Sequence, residues 1–307
     1  MSSSPIAICT LYEGDYHYGL GALANSLHSS GFNGTLWVGT RGERPPWSPG
    51  DSKTLPNGLE LRFLDLDTPY HFSHYKPWFM QDVLNRSGSE CIAYIDPDIV
   101  TKAPWTFFED WLSRGVALVG DFYEAISEDH LYRHHWREHA ANIGLTQSRK
   151  LDRYFNGGFV GVSTDQTTLL DTWAKLIEGL PKLGLPIDKL LPATALHPFQ
   201  FTDQDMLNAA LECGDWTLAT LPPSGMDLRD QIGGVMCHMT PGAKPWRTGY
   251  FRGQKKWRFR SHAARMYWQH TQNPIDLYSK RERAMVKIDQ KLEKVFGRFY
   301  AIPGWRP

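Results

Sequence analysis

The chain is predicted to be an α/β protein with a central sheet and helices on its faces. Two observations predict it. Over the first 120 residues, short apolar runs alternate with stretches in which apolar residues recur at helical spacing. The 307 residues, 41% apolar and 21% charged, suffice for one substantial core or for one large domain with a small appendage.

Residues 5–11 read as a buried strand. Residues 19–27 read as a helix, because Leu20, Leu23, Ala24 and Leu27 fall on one face. Residues 35–39 are the next strand. Residues 41–58, rich in Gly, Pro and Ser, are a surface connection. A strand follows at 60–66, then a helix within 71–84 carrying Lys76, Trp78 and Phe79. The apolar run 91–95 leads directly into Asp96-Pro97-Asp98, and the strand 116–119 ends at Gly120-Asp121.

The segment 127–152 is polar and His-rich. On a helix, His130/His134 and His135/His139 would form two pairs able to bind a metal, but a wetted helix or loop is the preferred reading. Residues 154–162, YFNGGFVGV, form a strand with a glycine-rich entry. Helices follow at 169–180 and from 203, the second with Thr202 as a candidate N-cap. Residues 235–245 are a strand running into a Gly- and Pro-bearing loop. No internal repeat is evident.

Charge is unevenly spread. The 33 basic and 33 acidic residues balance overall, yet residues 244–307 hold 16 Lys+Arg against 4 Asp+Glu. This bears on partners rather than on fold. Basic residues interleave with aromatics over 247–270. Met285, Ile288, Leu292, Val295, Phe296 and Phe299 then recur at helical spacing, beside Lys287, Lys291, Lys294 and Arg298. That stripe suits either packing on the main domain or contact with an anionic membrane. Cys9, Cys91, Cys213 and Cys237 form no CxxC pair and read as free, mostly buried thiols. No secretory signal and no run long enough to span a bilayer is seen. The expected location is cytoplasmic, with a peripheral position at a membrane's inner face as the variant.

Asp96 and Asp98 lie where open α/β sheets bind ligands, just past the C-terminal end of a strand. Two carboxylates plus phosphate oxygens suit Mg²⁺ or Mn²⁺, and an imidazole such as His238, were it beside them, would favour Mn²⁺. Lys244 could neutralise a departing diphosphate, and Gly242 would admit phosphate close to the backbone. Asp203-Gln204-Asp205 reads either as first-turn acids of a helix or as groups that orient sugar hydroxyls. Asn156-Gly157-Gly158 reads as a tight turn or as a sugar contact. No GxGxxG or GxxxxGK[ST] is present.

Together these blocks resemble the retaining glycosyltransferases of family 8, the lipopolysaccharide-galactosyltransferase and glycogenin type. TLYEGDYHYGLGALANSL at 10–27, YIDPDIV at 94–100, YFNGGFVGV at 154–162, DQDMLNAAL at 203–211 and HMTPGAKPW at 238–246 match in order. The resemblance implies a GT-A fold, a Rossmann-like mixed central sheet with helices on both faces. It implies a catalytic domain over 1–246 and a basic aromatic extension over 247–307. It also implies transfer of a hexose from a nucleotide-sugar donor, usually a UDP-sugar, to a glycan or lipid-linked acceptor, with Mn²⁺. Asp96, Asp98 and His238 would hold the metal. Thr10 and Tyr18 would contact the uridine, with Lys76 near the donor phosphate and sugar. Asp121, Asn156, Gly157 and Gly158 would line the sugar pocket. Asp203 and Gln204 would sit beneath the anomeric carbon, and Gly242 and Lys244 would hold the β-phosphate. The chain departs from the family in having Pro241 ahead of Gly242, and Tyr12-Glu13-Gly14-Asp15 in the nucleotide loop. Nucleotide-sugar hydrolysis and a binding protein without turnover are the alternatives. A nucleic-acid-binding tail leaves the ordered motifs unexplained.

Overall fold

The structure, a computed structural model, describes residues 6–122, 126–191, 199, 201–240, 244–247 and 262–296. In chain order the strands are β1 (Ile6–Glu13), β2 (Thr35–Arg41), β3 (Ser52–Thr54), β4 (Glu60–Asp65), β5 (Cys91–Ile95), β6 (Ile99–Thr101), β7 (Val116–Gly120), β8 (Phe155–Ser163), β9 (Leu218–Leu221) and β10 (Met236–His238). The helices are α1 (His17–Ser30), α2 (Phe72–Ser87), α3 (Trp105–Leu112), α4 (Leu131–Asn142), α5 (Thr168–Glu178), α6 (Thr202–Glu212), α7 (His262–Gln269) and α8 (Lys280–Phe296).

Eight strands form one mixed sheet in the order β3-β4-β2-β1-β5-β8-β7-β9. β4, β2, β1 and β5 run parallel, whereas β8 is antiparallel to both of its neighbours, β5 and β7. β6 and β10 pair separately as a short antiparallel ribbon. Both faces of the sheet are covered, because strand side chains alternate between them. Ile8, Ala93, Ile95, Ala117 and Val119 pack with α1 and α3. Cys9, Ile92, Tyr94, Val116 and Leu118 pack with α2, α4, α5 and α6.

Several expectations are corrected. The connection at 41–58 contains β3, an edge strand antiparallel to β4. The strand expected at 235–245 shortens to β10 and pairs with β6, not with the main sheet. The His-rich segment is not simply wetted. In α4, Arg133, Trp136 and His139 are buried, and Arg133 and Arg137 both bind the buried Glu212 of α6. His130 caps α4 by accepting from Tyr132 N–H, and His139 bonds Leu176 O at 2.9 Å, so two of the four rings are already committed. The N-cap of α6 is Phe201, whose N–H donates to Asp205, and Thr202 instead bonds His74 at 2.7 Å.

Residues 270–277 lie on α1. Asn25, fully buried, donates to His270 O and Ile275 O at 2.8 and 2.9 Å and accepts from Ile275 N–H at 2.9 Å. By contrast, Met285, Ile288 and Val295 of α8 are each more than half exposed. No helix among the described residues is long and apolar enough to cross a membrane. Asn25→Ala strands the Ile275 N–H and two carbonyls in the core. It is expected to lower unfolding free energy by about 2–4 kcal/mol in urea denaturation. A loss below about 0.5 kcal/mol would show that these bonds do not hold the C-terminal layer.

Candidate active site

A cleft of about 530 Å³ opens along the C-terminal ends of β1, β5 and β7. Its size suits a nucleotide-sized ligand. Its centre is the turn after β5. Asp96 N–H donates to Gly158 O at 2.7 Å, and Ile99 N–H donates to Asp96 O at 3.0 Å, which closes the turn over Pro97. The chain then enters β6, whose partner β10 sets His238 opposite Ile99. Met239 N–H donates to Asp98 O at 3.0 Å and extends the pairing. A histidine 140 residues along the chain is thereby delivered to the two carboxylates.

His238 Nε2 lies 3.3 Å from Asp98 Oδ1 and 3.9 Å from Asp96 Oδ2. One ligand atom from each of these three residues can gather within 4.8 Å of the others. Two oxygens and an imidazole nitrogen fit a hard to borderline divalent cation. The other oxygen of each carboxylate is held by a lysine. Lys76 Nζ is 3.2 Å from Asp96 Oδ1, and Tyr94 OH donates to the same oxygen at 2.9 Å. Lys244 Nζ donates to Asp98 Oδ2 and, at 3.1 Å, to Met239 O. The inner oxygens are left facing His238. Burial alone would raise the Asp98 carboxyl pKa, but Lys244 and His238 outweigh it and hold the group well below the usual carboxylate range. Burial would likewise lower both lysines. Asp96 and Asp203 hold Lys76 above its ordinary value, and Asp98 with Tyr16 does so for Lys244.

Adjoining the carboxylates is a polar network. Lys76 also donates to Asp203 Oδ2 at 3.1 Å and to Gly157 O at 2.9 Å. Gln204 accepts from Gly157 N–H at 2.8 Å and donates to Asp121 Oδ2 at 3.0 Å. Asn156 donates to the same Asp121 oxygen at 2.7 Å and accepts from Gly158 N–H at 2.8 Å. Asp205 lies behind this network, fully buried, bonded to Tyr154 OH and the Phe201 N–H.

The structure thus brings Lys76, Asp96, Asp98, Asp121, Asn156, Gly157, Gly158, Asp203, Gln204, His238 and Lys244 to one cleft. Gly242 lies outside the described residues. Thr10 and Tyr18 do not line the cleft. Thr10 is fully buried in β1, and Tyr18 turns away to stack on Tyr278 with centroids 5.0 Å apart. Tyr16 and Glu13 take that end of the cleft instead. The turn Gly14–Tyr16 before α1 decides which tyrosine faces inward. Residue type alone does not distinguish the two, and Glu13 had only its departure from the family pattern to mark it.

A second group, Asp227, Cys237 and His262, also has closely spaced ligand atoms. Its Asp227 Oδ2 already bonds Lys102 and His262, each at 2.7 Å, and Oδ1 accepts from Gly233 N–H. That ammonium occupies the carboxylate, so the group reads as a buried clasp between segments. The four histidines of 130–139 belong to neither group.

Gly158 is the tightest point of the site. A Cβ there would lie 2.6 Å from His238 Cε1, 2.9 Å from Asn156 Oδ1 and 3.0 Å from Asp96 Oδ2. Gly158→Ala must therefore push two of the three candidate ligands apart. It is expected to weaken Mn²⁺ binding by at least about tenfold, read by electron paramagnetic resonance of free Mn²⁺, with an unchanged circular-dichroism spectrum. Unaltered Mn²⁺ binding would remove Gly158 from the site.

No protein-family model matches the chain, and no curated protein does. Among solved structures it is similar to a crystal structure of an active-site glutamine-to-glutamate mutant of LgtC, with a TM-score of 0.54 and 13% identity over 90% of this chain and 99% of that one. It is also similar to the galactosyltransferase LgtC in complex with donor and acceptor sugar analogs, with a TM-score of 0.53 and 15% identity over 91% and 99%. The arrangement of sheet and helices is that of the GT-A fold, as the sequence led us to expect.

Proposed function

We propose that the protein is a glycosyltransferase that moves a hexose from a nucleoside-diphosphate sugar, a UDP-sugar by preference, to a hydroxyl of a glycan or glycolipid acceptor. One observation carries the proposal. Three candidate metal ligands converge beside Lys244 in one part of a cleft, and the adjoining part is built of Asp121, Asn156, Gln204 and Asp203. A pyrophosphate suits the first part and sugar hydroxyls suit the second. The donor and acceptor analogs named for LgtC, and its active-site glutamine, agree with this use of the cleft, with Gln204 as the candidate counterpart.

Asp96, Asp98 and His238 would hold Mn²⁺, or Mg²⁺ in its place. The ion would supply Lewis-acid stabilisation of charge on the leaving diphosphate. Lys244 is the protein's own cation for that charge, and its nitrogen lies over Tyr16 at 5.8 Å. Glu13 and Tyr16 would meet the nucleobase, the tyrosine with its ring face. Asp121 and Asn156 would orient sugar hydroxyls. Asp203 is a poor nucleophile, because its Oδ2 is bound to Lys76. Gln204 spends its carbonyl on Gly157 and an N–H on Asp121, so it is suited to orienting and not to attack. Among the described residues no group is poised to form a covalent intermediate, so attack by the acceptor on the face the diphosphate leaves is the favoured course. That course retains configuration.

Asp96→Asn combined with Asp98→Asn is expected to abolish metal-dependent sugar transfer, by about 10³-fold or more, without unfolding the protein. The assay supplies UDP-hexoses and glycan acceptors with Mn²⁺ and identifies products by mass spectrometry. Unchanged transfer in the double variant would sink the mechanism. Release of free sugar regardless of acceptor would favour hydrolysis instead.

Peripheral contact with an anionic membrane is a separate proposal, supported by the exposed Met285, Ile288 and Val295 beside the lysines of α8. Replacing the three with serine is expected to abolish sedimentation with phosphatidylglycerol vesicles. Equal sedimentation would rule out this face.

A further inference from the structure

Tyr16, at the nucleotide end of the cleft, belongs to a circuit of aromatic rings that passes through the C-terminal layer. Its ring meets Trp246 edge-on at 5.4 Å, and Trp246 meets Tyr267 at 5.4 Å. The Tyr267 hydroxyl is 2.8 Å from that of Tyr278, and the Tyr278 ring stacks on Tyr18 at 5.0 Å. Tyr16 caps α1 and Tyr18 lies in its first turn, so the circuit closes around the start of that helix.

Trp246 is wedged in this circuit. A Cβ at Gly19 would lie 2.8 Å from its indole and 2.5 Å from Pro97 O, so glycine is what lets α1 approach both the indole and the turn between Asp96 and Asp98. Residues on either side of Trp246 tie this segment down, Lys244 within the cleft and Arg247 outside it. Lys244 reaches Asp98, and Arg247 binds both oxygens of Asp15. Tyr267 is fully buried and does not line the cleft, yet its ring is the backing against which Trp246 rests.

We propose that Tyr267 is a positioning residue for nucleotide binding, seating Trp246 and through it holding Tyr16 and Lys244 where a nucleoside diphosphate would meet them. The inference rests on the donor reading above. Without the ring, Trp246 can turn into the vacated space. Tyr16 and Lys244 then lose their fixed placement, and the ligand must bear the cost of ordering them.

The test is calorimetric titration of the full chain with UDP in the presence of Mn²⁺, well below the melting temperature of each variant. Tyr267→Ala is expected to bind UDP roughly tenfold more weakly. Tyr267→Leu keeps apolar bulk in the core and carries the same expectation should the alanine variant fail to fold. Tyr267→Phe keeps the ring and is expected to bind within about twofold of the unaltered protein. A purely structural role would lower melting temperature and leave UDP affinity of the folded protein unchanged. That outcome in the folded alanine or leucine variant overturns the proposal alone. Failure of the unaltered protein to bind UDP, GDP or ADP overturns the donor reading, and this proposal with it.

Discussion

The direction of β8 is the constraint on which the site depends. Because β8 runs antiparallel to β5 and β7, its first residues stand beside the last residues of both neighbours. Asp96 after β5, Asp121 after β7 and Asn156–Gly158 at the start of β8 therefore meet at one edge of the sheet. β1 runs parallel to β5 and brings Glu13 to the same edge. A parallel β8 would carry its glycines to the far edge. The second constraint is the register of the β6–β10 ribbon. Neighbouring side chains of a strand point to opposite faces, so a slip of one residue exchanges His238 with Cys237. The observed register points His238 to the carboxylates and Cys237 toward Asp227 and His262.

Charge then fixes orientation within that frame. Buried carboxylates and ammoniums persist only when paired. Lys76 is shared by Asp96 and Asp203, and Lys244 is taken by Asp98. The pairing does more than neutralise. By taking the outer oxygens of Asp96 and Asp98, the two lysines leave the inner oxygens as the ones that face His238. Lys76 further ties Asp96 to the first turn of α6, so the two carboxylates share one ammonium. Loss of that lysine would leave the buried Asp203 and the half-buried Asp96 without their shared ammonium.

The local elements were legible in the sequence because their signals are local. Apolar runs, helical spacing and a DPD turn directly after a strand all lie within a few residues, and every strand of the central sheet except β3 and the short β9 was marked this way. The placement of Asp96, Asn156 and Gln204 at one cleft was implied only by the resemblance to the family 8 transferases. What was not legible depends on phase or on distant partners. Tyr16 and Tyr18 differ only by where the helix starts. Lys76 lies on a recognisable helix, but its salt bridge to Asp203 spans 127 residues. The polar face of α4 looked wetted because Glu212, which buries Arg133, lies 79 residues further on. The functional reading of Thr10 came from resemblance, and burial in β1 withdraws it from the cleft.

The C-terminal layer shows how a helix can demand a cover that its own segment does not identify. From Gly19 to Leu27 every residue of α1 is buried, including Asn25 and Ser26. A helix apolar or small on all sides must be packed on all sides. The sheet and the β6 ribbon cover one side, where Ser26 accepts from Thr101 N–H at 2.9 Å. The remaining side carries Gly21 and Asn25, and only an element able to lie flush on a glycine and return hydrogen bonds to an amide can close it. Leu277 fills the first requirement, since a Cβ at Gly21 would lie 2.1 Å from its Cδ2, and Ile275 with His270 meets the second. Cover for α1 is thus a condition of a stable cleft, because the same helix carries Tyr16 at its entry. Residues 270–277 belong with the sheet domain by that measure, whatever the exposed face of α8 beyond them contacts.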